Sequence, residues 1–395
     1  MTPTTERTGL WLIGAGGSVA ATVACGLAAL RAGVAGSTGL VTARPELEDV
    51  GLADVADLVT GGHDVTTVSL AKRAEELAAA GVVPHDLPRL VAHDLDEAST
   101  RIRPGYVVGA ENQRDAVERL ADDLREFASR EGLSRVVVVN VSSTEALVVP
   151  HPGHADVEAL ESAWDAGESP LPASSVYAAA AFRAGCAFVD FTPSAGARLP
   201  ALEEMAAHAG LPWGGSDGKT GETLLKSVLA PMFAMRALDV RSWAGTNLLG
   251  GGDGATLASP DARQSKIESK AAGLEALLGH PVEGPLHIDH VADLGDWKTA
   301  WDHITFAGFL GTRMTLQFTW QGCDSALAAP LVIDLARLLD LALRRGESGP
   351  VAALGFFFKD PAGLDEHALA PQHDLLVRWA RGEVAADAAG GASSR

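Results

Sequence analysis

The chain reads as α/β, a doubly wound parallel sheet with a second, smaller α+β layer, and three observations say so. Short apolar runs alternate with helix-spaced patterns from the first residues to about Arg236, as in a sheet wrapped by helices on both faces. Val136–Val139 is an uninterrupted β-branched run, typical of a parallel strand buried on both sides. Beyond Arg236 the texture changes, and Ser242–Leu249, Leu286–Val291, Phe306–Phe309 and Met314–Trp320 read as the strands of another layer.

Taken in order, Gly9–Ile13 is a short strand, Gly14-Ala-Gly-Gly-Ser18 a turn, and Val19–Arg31 a helix of small residues. Strand, glycine turn and helix N-terminus together make a dinucleotide site: glycine admits the pyrophosphate and the helix end favours its charge. The motif is imperfect, with Ala20 near the third glycine position. Gly39–Thr42 reads as the second strand and has no acid at its end to hold a ribose, which leaves NAD and NADP both open. Asp54–Val59 leads into a strand-end loop, Thr60–Asp64. Helices are expected at Leu70–Ala80 and Glu111–Glu131, and the Val136 strand runs through Asn140 and Val141 into Ser142-Ser-Thr-Glu145. After an excursion past Val149 come a helix at Ser174–Ala184, a strand at Ala187–Phe191, a helix at Ala201–Ala209, and Gly214–Asp217. Ala326–Arg344 is a long helix, Val351–Phe358 a last strand ending at Lys359, and Glu383–Arg395 a disordered tail rich in Ala, Gly and Ser.

With 395 residues, 47% of them hydrophobic, the chain can bury a large core and two domains are expected. A formal net charge of −20 argues against nucleic acid or an anionic membrane surface as the main partner. Cys25, Cys186 and Cys323 have no metal or redox spacing, so no metal site is expected, and a reducing cytoplasm is. The uncharged stretch Gly9–Leu30 has the length of a membrane span or, behind Arg7, the look of a signal-peptide core. Gly14, Gly16 and Gly17 interrupt it where a strand turns into a helix, so a soluble protein is expected.

Lysine usage narrows the chemistry. There are seven lysines against 24 arginines, and six of the seven lie after residue 215: Lys219, Lys226, Lys266, Lys270, Lys298 and Lys359. Lysine is a point charge whose pKa moves readily, whereas arginine stays protonated. Lysines beside acids therefore suggest proton transfer or phosphate binding, although genomic base composition alone can deplete lysine. Ser259 can cap a helix with Pro260 and Asp261 in its first turn, which sets Lys266 and Lys270 on one face. A solvated basic face is the plain alternative. Asp217 with Lys219, Asp253 before Lys266, and Asp296 with Lys298 are each unremarkable ion pairs taken singly; three in Gly-rich or strand-end loops point to a site.

Longer motifs run through nearly the whole chain. Gly214–Ser227 matches GxDxKxGxTxxKS, Asn247–Lys270 matches NxLGNxDG…P…SKxxSK, Gly295–Lys298 matches GDxK, and Asp324–Pro330 matches DSxLAAP. Gly61–Asp64, Val139–Glu145 and Pro172–Tyr177 echo GGWD, a strand ending in STE, and PAS-x-x-Y. In these elements the chain resembles the myo-inositol-1-phosphate synthase family. The resemblance implies a Rossmann-type domain over 1–240, an inserted catalytic and oligomerisation domain over 241–324, a C-terminal return over 325–382 and a tail over 383–395. Carried over by motif, Lys266, Lys270, Lys298 and Lys359 are the active-site lysines, joined by Asp217, Asp253 and Asp296, with Lys219 also on the substrate. The weakest of these matches, Lys359, rests on the short run Phe356–Pro361. Bound NAD is assigned to Gly14, Gly16, Gly17, Ser18, Asp64, Ser142, Ser143, Thr144, Asp217, Gly252, Asp253, Asp324 and Ser325.

The implied reaction is redox-neutral closure of a hexose 6-phosphate: oxidation at C5, enolisation at C6, intramolecular aldol addition and reduction. Ammonium groups placed at the developing oxyanions lower the barrier without reorganising, and crowded lysines depress one another's pKa, which suits a base. A homotetramer is implied as well. Glycines stand at 251 and 252 where the family has asparagines, Thr192–Gly196 lacks the asparagine of SPxNT, and the first turn lacks its usual Asn. Two substrates therefore stay open: glucose 6-phosphate, giving myo-inositol 1-phosphate, and fructose 6-phosphate, giving a five-membered cyclitol phosphate. A catalytically silent NAD-binding scaffold is the rival from another class.

Overall fold

The structure, a computed structural model, describes residues 6–67, 69–250, 274–275 and 277–385. Gly251, Gly252, Asp253, Lys266, Lys270, the expected helix start at Ser259–Asp261 and residues 386–395 of the expected tail lie outside the described residues. The chain divides into two compact units, the first made of Met1–Gly218, Ala328–Leu364 and Leu376–Arg395, the second of Lys219–Leu327 and Asp365–Leu375.

Strands β1 (Thr8–Ile13), β2 (Leu58–Asp64), β3 (Ile102–Pro104), β4 (Arg135–Asn140), β5 (Ala187–Asp190) and β6 (Pro212–Gly215) lie in the first unit. Strands β7 (Asp239–Leu249), β8 (Leu286–His290), β9 (Trp297–Ala307) and β10 (Arg313–Cys323) lie in the second, and β11 (Gly349–Pro350) returns to the first. Helices are α1 (Ser18–Arg31), α2 (Leu70–Ala79), α3 (Leu87–Leu90), α4 (Ala92–Ser99), α5 (Gln113–Glu131), α6 (Val157–Asp165), α7 (Ala173–Arg183) and α8 (Pro200–Ala209), then α9 (Gly221–Met235), α10 (Asp324–Arg344) and α11 (Leu369–Ala380).

The first unit is a parallel seven-stranded sheet in the order β11-β6-β5-β4-β1-β2-β3. Strand order reverses between β1 and β4, and open sheets bind ligands beyond the carboxyl ends of the strands at such a switch point. Burial explains the composition: Leu10, Val137, Val139 and Phe188 are all fully buried, as strands covered by helices on both faces require. On one face the core joins Trp11, Val138 and Phe188 to α5 and α7 through Leu120, Phe127 and Phe182. Another packs the small residues Ala21, Ala24 and Ala28 of α1 against Leu70, Leu77 and Leu95.

Three expectations need correction here. Gly39–Thr42 is not the second strand; Val41–Ala43 is a 3-10 helix. The cause is Asp334, whose carboxylate accepts from the amides of Val41 (2.7 Å) and Thr42 (3.0 Å), and from the Thr42 hydroxyl (2.5 Å). The true neighbour of β1 is β2, so Thr60–Asp64 is strand and not loop. Gly61 and Gly62 suit it because a Cβ at 61 would meet the Trp11 ring at 2.8 Å, and one at 62 would strike the Leu12 carbonyl. Finally, Val351–Phe358 forms a 3-10 helix over Ala352–Phe357 in place of a strand, closed by local bonds from Leu354 N to Val351 O and Phe358 N to Gly355 O.

The second unit is a four-stranded sheet, β10-β9-β7-β8, antiparallel except for the parallel β7–β8 pair. One face is buried with α9 around Ala230, Phe233, Trp243 and Ile304. β9 begins at Trp297 rather than near Phe306, so Lys298 stands on a strand and not in a loop.

Candidate functional site

In the first unit the glycine turn follows β1 directly. Gly14 has φ +83°, and a Cβ there would come within 2.8 Å of Ser142 Cα at the end of β4. Only glycine fits both the left-handed backbone and that approach. Gly17 N–H donates to Gly14 O at 2.9 Å, and Gly17 is the N-cap of α1 with no side chain covering the helix amides. The bare helix start therefore faces the switch point ready for an anion. Asp64 ends β2 beside it, and its carboxylate accepts from Gly16 N (2.7 Å) and from Thr66 N and Oγ1 (both 2.7 Å). An acid at the end of the second strand is the group that holds a ribose hydroxyl in NAD sites. Sequence reading looked for that acid near Thr42; the segment of 3-10 helices between Val41 and Asp57 delays it to residue 64. The glycine cradle and the acid fit NAD.

Around β4 and β5 the polar groups form a net. Ser142 N and Oγ both bond Asn140 Oδ1 (3.2 and 2.7 Å), while Ser143 is exposed and Thr144 half-buried. Asn140 Nδ2 in turn reaches Asp190, which also accepts from Thr192 N (2.8 Å) and Oγ1 (2.6 Å). Burial pushes the Asp190 carboxyl up to about 7, against the pull of Thr192 and Asn140. Sequence reading missed Asp190, although an acid closing the expected strand Ala187–Phe191 was the available signal.

Past β6, Asp217 sits at φ +61°, a conformation Asp tolerates better than most side chains and one met often at functional turns. Its carboxylate takes the Lys359 ammonium at 2.7 Å, and its carbonyl takes the Lys359 amide at 2.8 Å. The first unit thus joins Gly14, Gly16 and Gly17 to Asp64 and Ser142, and Asp217 to Lys359.

The second unit holds the other described residues of the predicted set. Lys298 pairs with Asp324, whose other partner is the Thr220 hydroxyl at 3.2 Å. Asp296 and Lys298 both act on the Cys323 thiol, whose pKa is raised first by burial, then opposed by backbone bonding. Lys219 is buried and donates to Gln372. Ser325 is buried in the first turn of α10. Lys226, also buried, lies 2.5 Å from Glu222 and over the Trp243 ring. Among the described residues no helix is long and apolar enough to cross a membrane.

A doubly wound sheet with this glycine turn defines an NAD-binding enzyme. A family model described as myo-inositol-1-phosphate synthase matches residues 8–381, and the chain belongs to that family of NAD-dependent isomerases. Inositol-3-phosphate synthase 1 of Bacteroides thetaiotaomicron is 34% identical, over 95% of this chain and 94% of its own. A myo-inositol-1-phosphate synthase-related protein from Thermotoga maritima superposes with a TM-score of 0.76 at 26% identity, covering 95% of this chain and 98% of that one. Inositol-3-phosphate synthase from Caenorhabditis elegans gives 0.81 at 22% identity, with 96% and 86% covered, a likeness of fold.

Proposed function

We propose that the chain is a cyclitol-phosphate synthase that closes glucose 6-phosphate into myo-inositol 1-phosphate with no net redox change. The observation that carries this reading is the Lys359–Asp217 pair, at the carboxyl edge of the sheet that also holds the glycine turn. Oxidising a sugar hydroxyl needs a proton acceptor on that side of the sheet, and a lysine in its neutral form serves as one, with the acid beside it to hold the ammonium it becomes.

Gly14, Gly16, Gly17 and Ser18 cradle the cofactor pyrophosphate, Asp64 takes a ribose hydroxyl, and Ser142, Ser143 and Thr144 line the path onward. NAD supplies reversible hydride transfer at C5. Lys359, as the neutral amine, accepts the C5 hydroxyl proton, and Asp217 then holds the ammonium that results. In the second unit Lys298, positioned by Asp324, stabilises the oxygen that gains charge when a neutral lysine of the motif-matched set takes the C6 proton, so that C6 bonds to C1 and the same lysine returns its proton to the C1 oxygen. Lys219 and Asp296 support that cluster, with Ser325 and, from motif matching, Gly252, Asp253, Lys266 and Lys270. The domain roles follow: dinucleotide binding in 1–240, catalysis and assembly in 241–324, and a C-terminal return in 325–382. We also assign a homotetramer, because β10 and β8 are sheet edges among the described residues and a second copy would cover them, and a cytoplasmic location.

The test is incubation with NAD and either glucose 6-phosphate or fructose 6-phosphate, with the product ring identified by mass and NMR. An inositol phosphate from glucose 6-phosphate is expected, and Lys298→Ala should lower turnover by about 10²–10³-fold with NAD affinity unchanged. A five-membered product would move the substrate assignment to fructose 6-phosphate. No ring from either sugar would leave an NAD-binding scaffold.

A further inference from the structure

The buried face of the second unit's sheet can be read as rows across β7, β9 and β10. Leu249, Lys298 and Gly322 form one row, Asn247, Ala300 and Trp320 the next, and Gly245, Asp302 and Phe318 the third. Strand alternation puts all of these on the same face. In the middle row Ala300 is buried and short, with Asn247 and Trp320 standing on either side. Asn247 Nδ2 and Trp320 Nε1 are both shielded from water and have no hydrogen-bond partner among the described residues. Buried N–H groups left without acceptors are uncommon and ask for an explanation.

The position of the indole supplies one. A Cβ on Gly322 would come 3.1 Å from Trp320 Nε1; a Cβ on Gly221 would come 3.6 Å from that atom and 3.9 Å from Lys298 Cε. Trp320 Nε1 and Lys298 Cε therefore both border Gly221, where α9 opens. Two glycines keep the space around it clear. Indole, ammonium and the amides of a helix's first turn all donate, and the carboxylate beside Lys298, Asp324, is already shared between that ammonium and the Thr220 hydroxyl. Such a set suits a partner that only accepts. A phosphate dianion is that partner, whereas a sugar hydroxyl would bring a further O–H needing an acceptor.

We propose that Trp320 is a specificity-determining residue of the cyclisation, its indole N–H donating to the phosphate of the hexose 6-phosphate beside Lys298. The inference rests on the function proposed above and adds the residue that distinguishes a phosphorylated sugar from a free one. Asn247, one position over in the same row, offers its amide to the adjoining part of the same molecule.

The test uses the NAD-loaded protein and the variant Trp320→Phe, which keeps most of the ring volume and removes the N–H. Affinities for inorganic phosphate and for a hexitol 6-phosphate are measured by calorimetry, neither requiring turnover. Both should weaken about tenfold, and NAD affinity should not move. In steady state KM for the hexose 6-phosphate rises about as much, with kcat within about a factor of two. Gly322→Ala, which crowds the same N–H, should weaken phosphate binding in the same direction and serves if Trp320→Phe fails to fold. Unchanged phosphate affinity in a folded variant, or a loss confined to kcat, overturns the proposal. A protein that binds phosphate through Trp320 and cyclises no sugar overturns the function and its specificity role, and leaves the phosphate contact of Trp320 standing.

Discussion

The two sheets keep their polar side chains in different places. In the first unit Leu10, Val137, Val139 and Phe188 are buried along the strands, and the polar groups Asn140, Asp190, Asp64 and Asp217 stand at or beyond the carboxyl ends. In the second unit Asp302 and Asn247 lie inside the strands on the buried face, while Lys219, Glu222 and Lys226 are buried at and in α9. Trp243 Nε1 donates to Asp302 at 2.7 Å, and Lys226 is paired with Glu222. A parallel sheet puts its strand-to-helix loops at the carboxyl edge, so most of its polar groups can stand there, with Thr8, Thr60 and His63 buried within β1 and β2. A sheet whose face itself bears chemistry must bury charges and satisfy them one by one. The comparison teaches that the first unit sets these polar groups along its carboxyl rim and the second carries polar groups within its buried face.

Breaking this contrast should cost most in the apolar depth. Phe188→Ala, at a fully buried position in β5, should lose roughly 3–5 kcal/mol, read as a lower denaturation midpoint with the transition slope unchanged. In the second unit Lys226→Met leaves Glu222 without its ammonium and should cost about 3 kcal/mol, while adding Glu222→Leu should recover much of that. If the single and double variants are equally unstable, the buried pair is not what the second unit depends on. The last effect concerns Asp190. The folded protein keeps its proton up to about 7, whereas an ordinary aspartate gives it up near 3.8. Between those values the folded state binds the extra proton, so this group's contribution is complete below about pH 4 and is lost as pH rises to about 7. Asp190→Asn should flatten that decline between pH 4 and 7, measured by urea unfolding at each pH.

Much of the first unit was legible because its signals are local. Small residues after a glycine turn, four β-branched residues in a row and helix-period stripes each need only their neighbours. The expected helices at Leu70–Ala80 and Glu111–Glu131 are found at Leu70–Ala79 and Gln113–Glu131. The misreadings fell where distant groups decide. Val41 and Thr42 have strand-forming side chains, yet Asp334, some 290 positions on, captures their amides. Gly61 and Gly62 look like a loop until Trp11 and Leu12 are placed against them. Trp320 looks like an ordinary strand aromatic, and only cross-strand register reveals where its N–H lies.

The sequence by itself determined the strand–glycine turn–helix at residues 8–31, the run of parallel-sheet strands, and the ordered lysine and aspartate motifs that mark the family. These are properties of contiguous residues, whose backbone preferences and periodicity are set before any long-range contact forms. Tertiary structure decided the partners. Asp217 is two residues from Lys219 in the chain, yet it holds Lys359, which is 142 positions away, while Lys219 is buried against Gln372. A left-handed residue at 217 sends the chain off in a new direction, and a long flexible ammonium goes to whichever carboxylate folding brings within reach. Spacing along the chain cannot encode that choice, because an ion pair is set by distance in space and by how much water is removed around it.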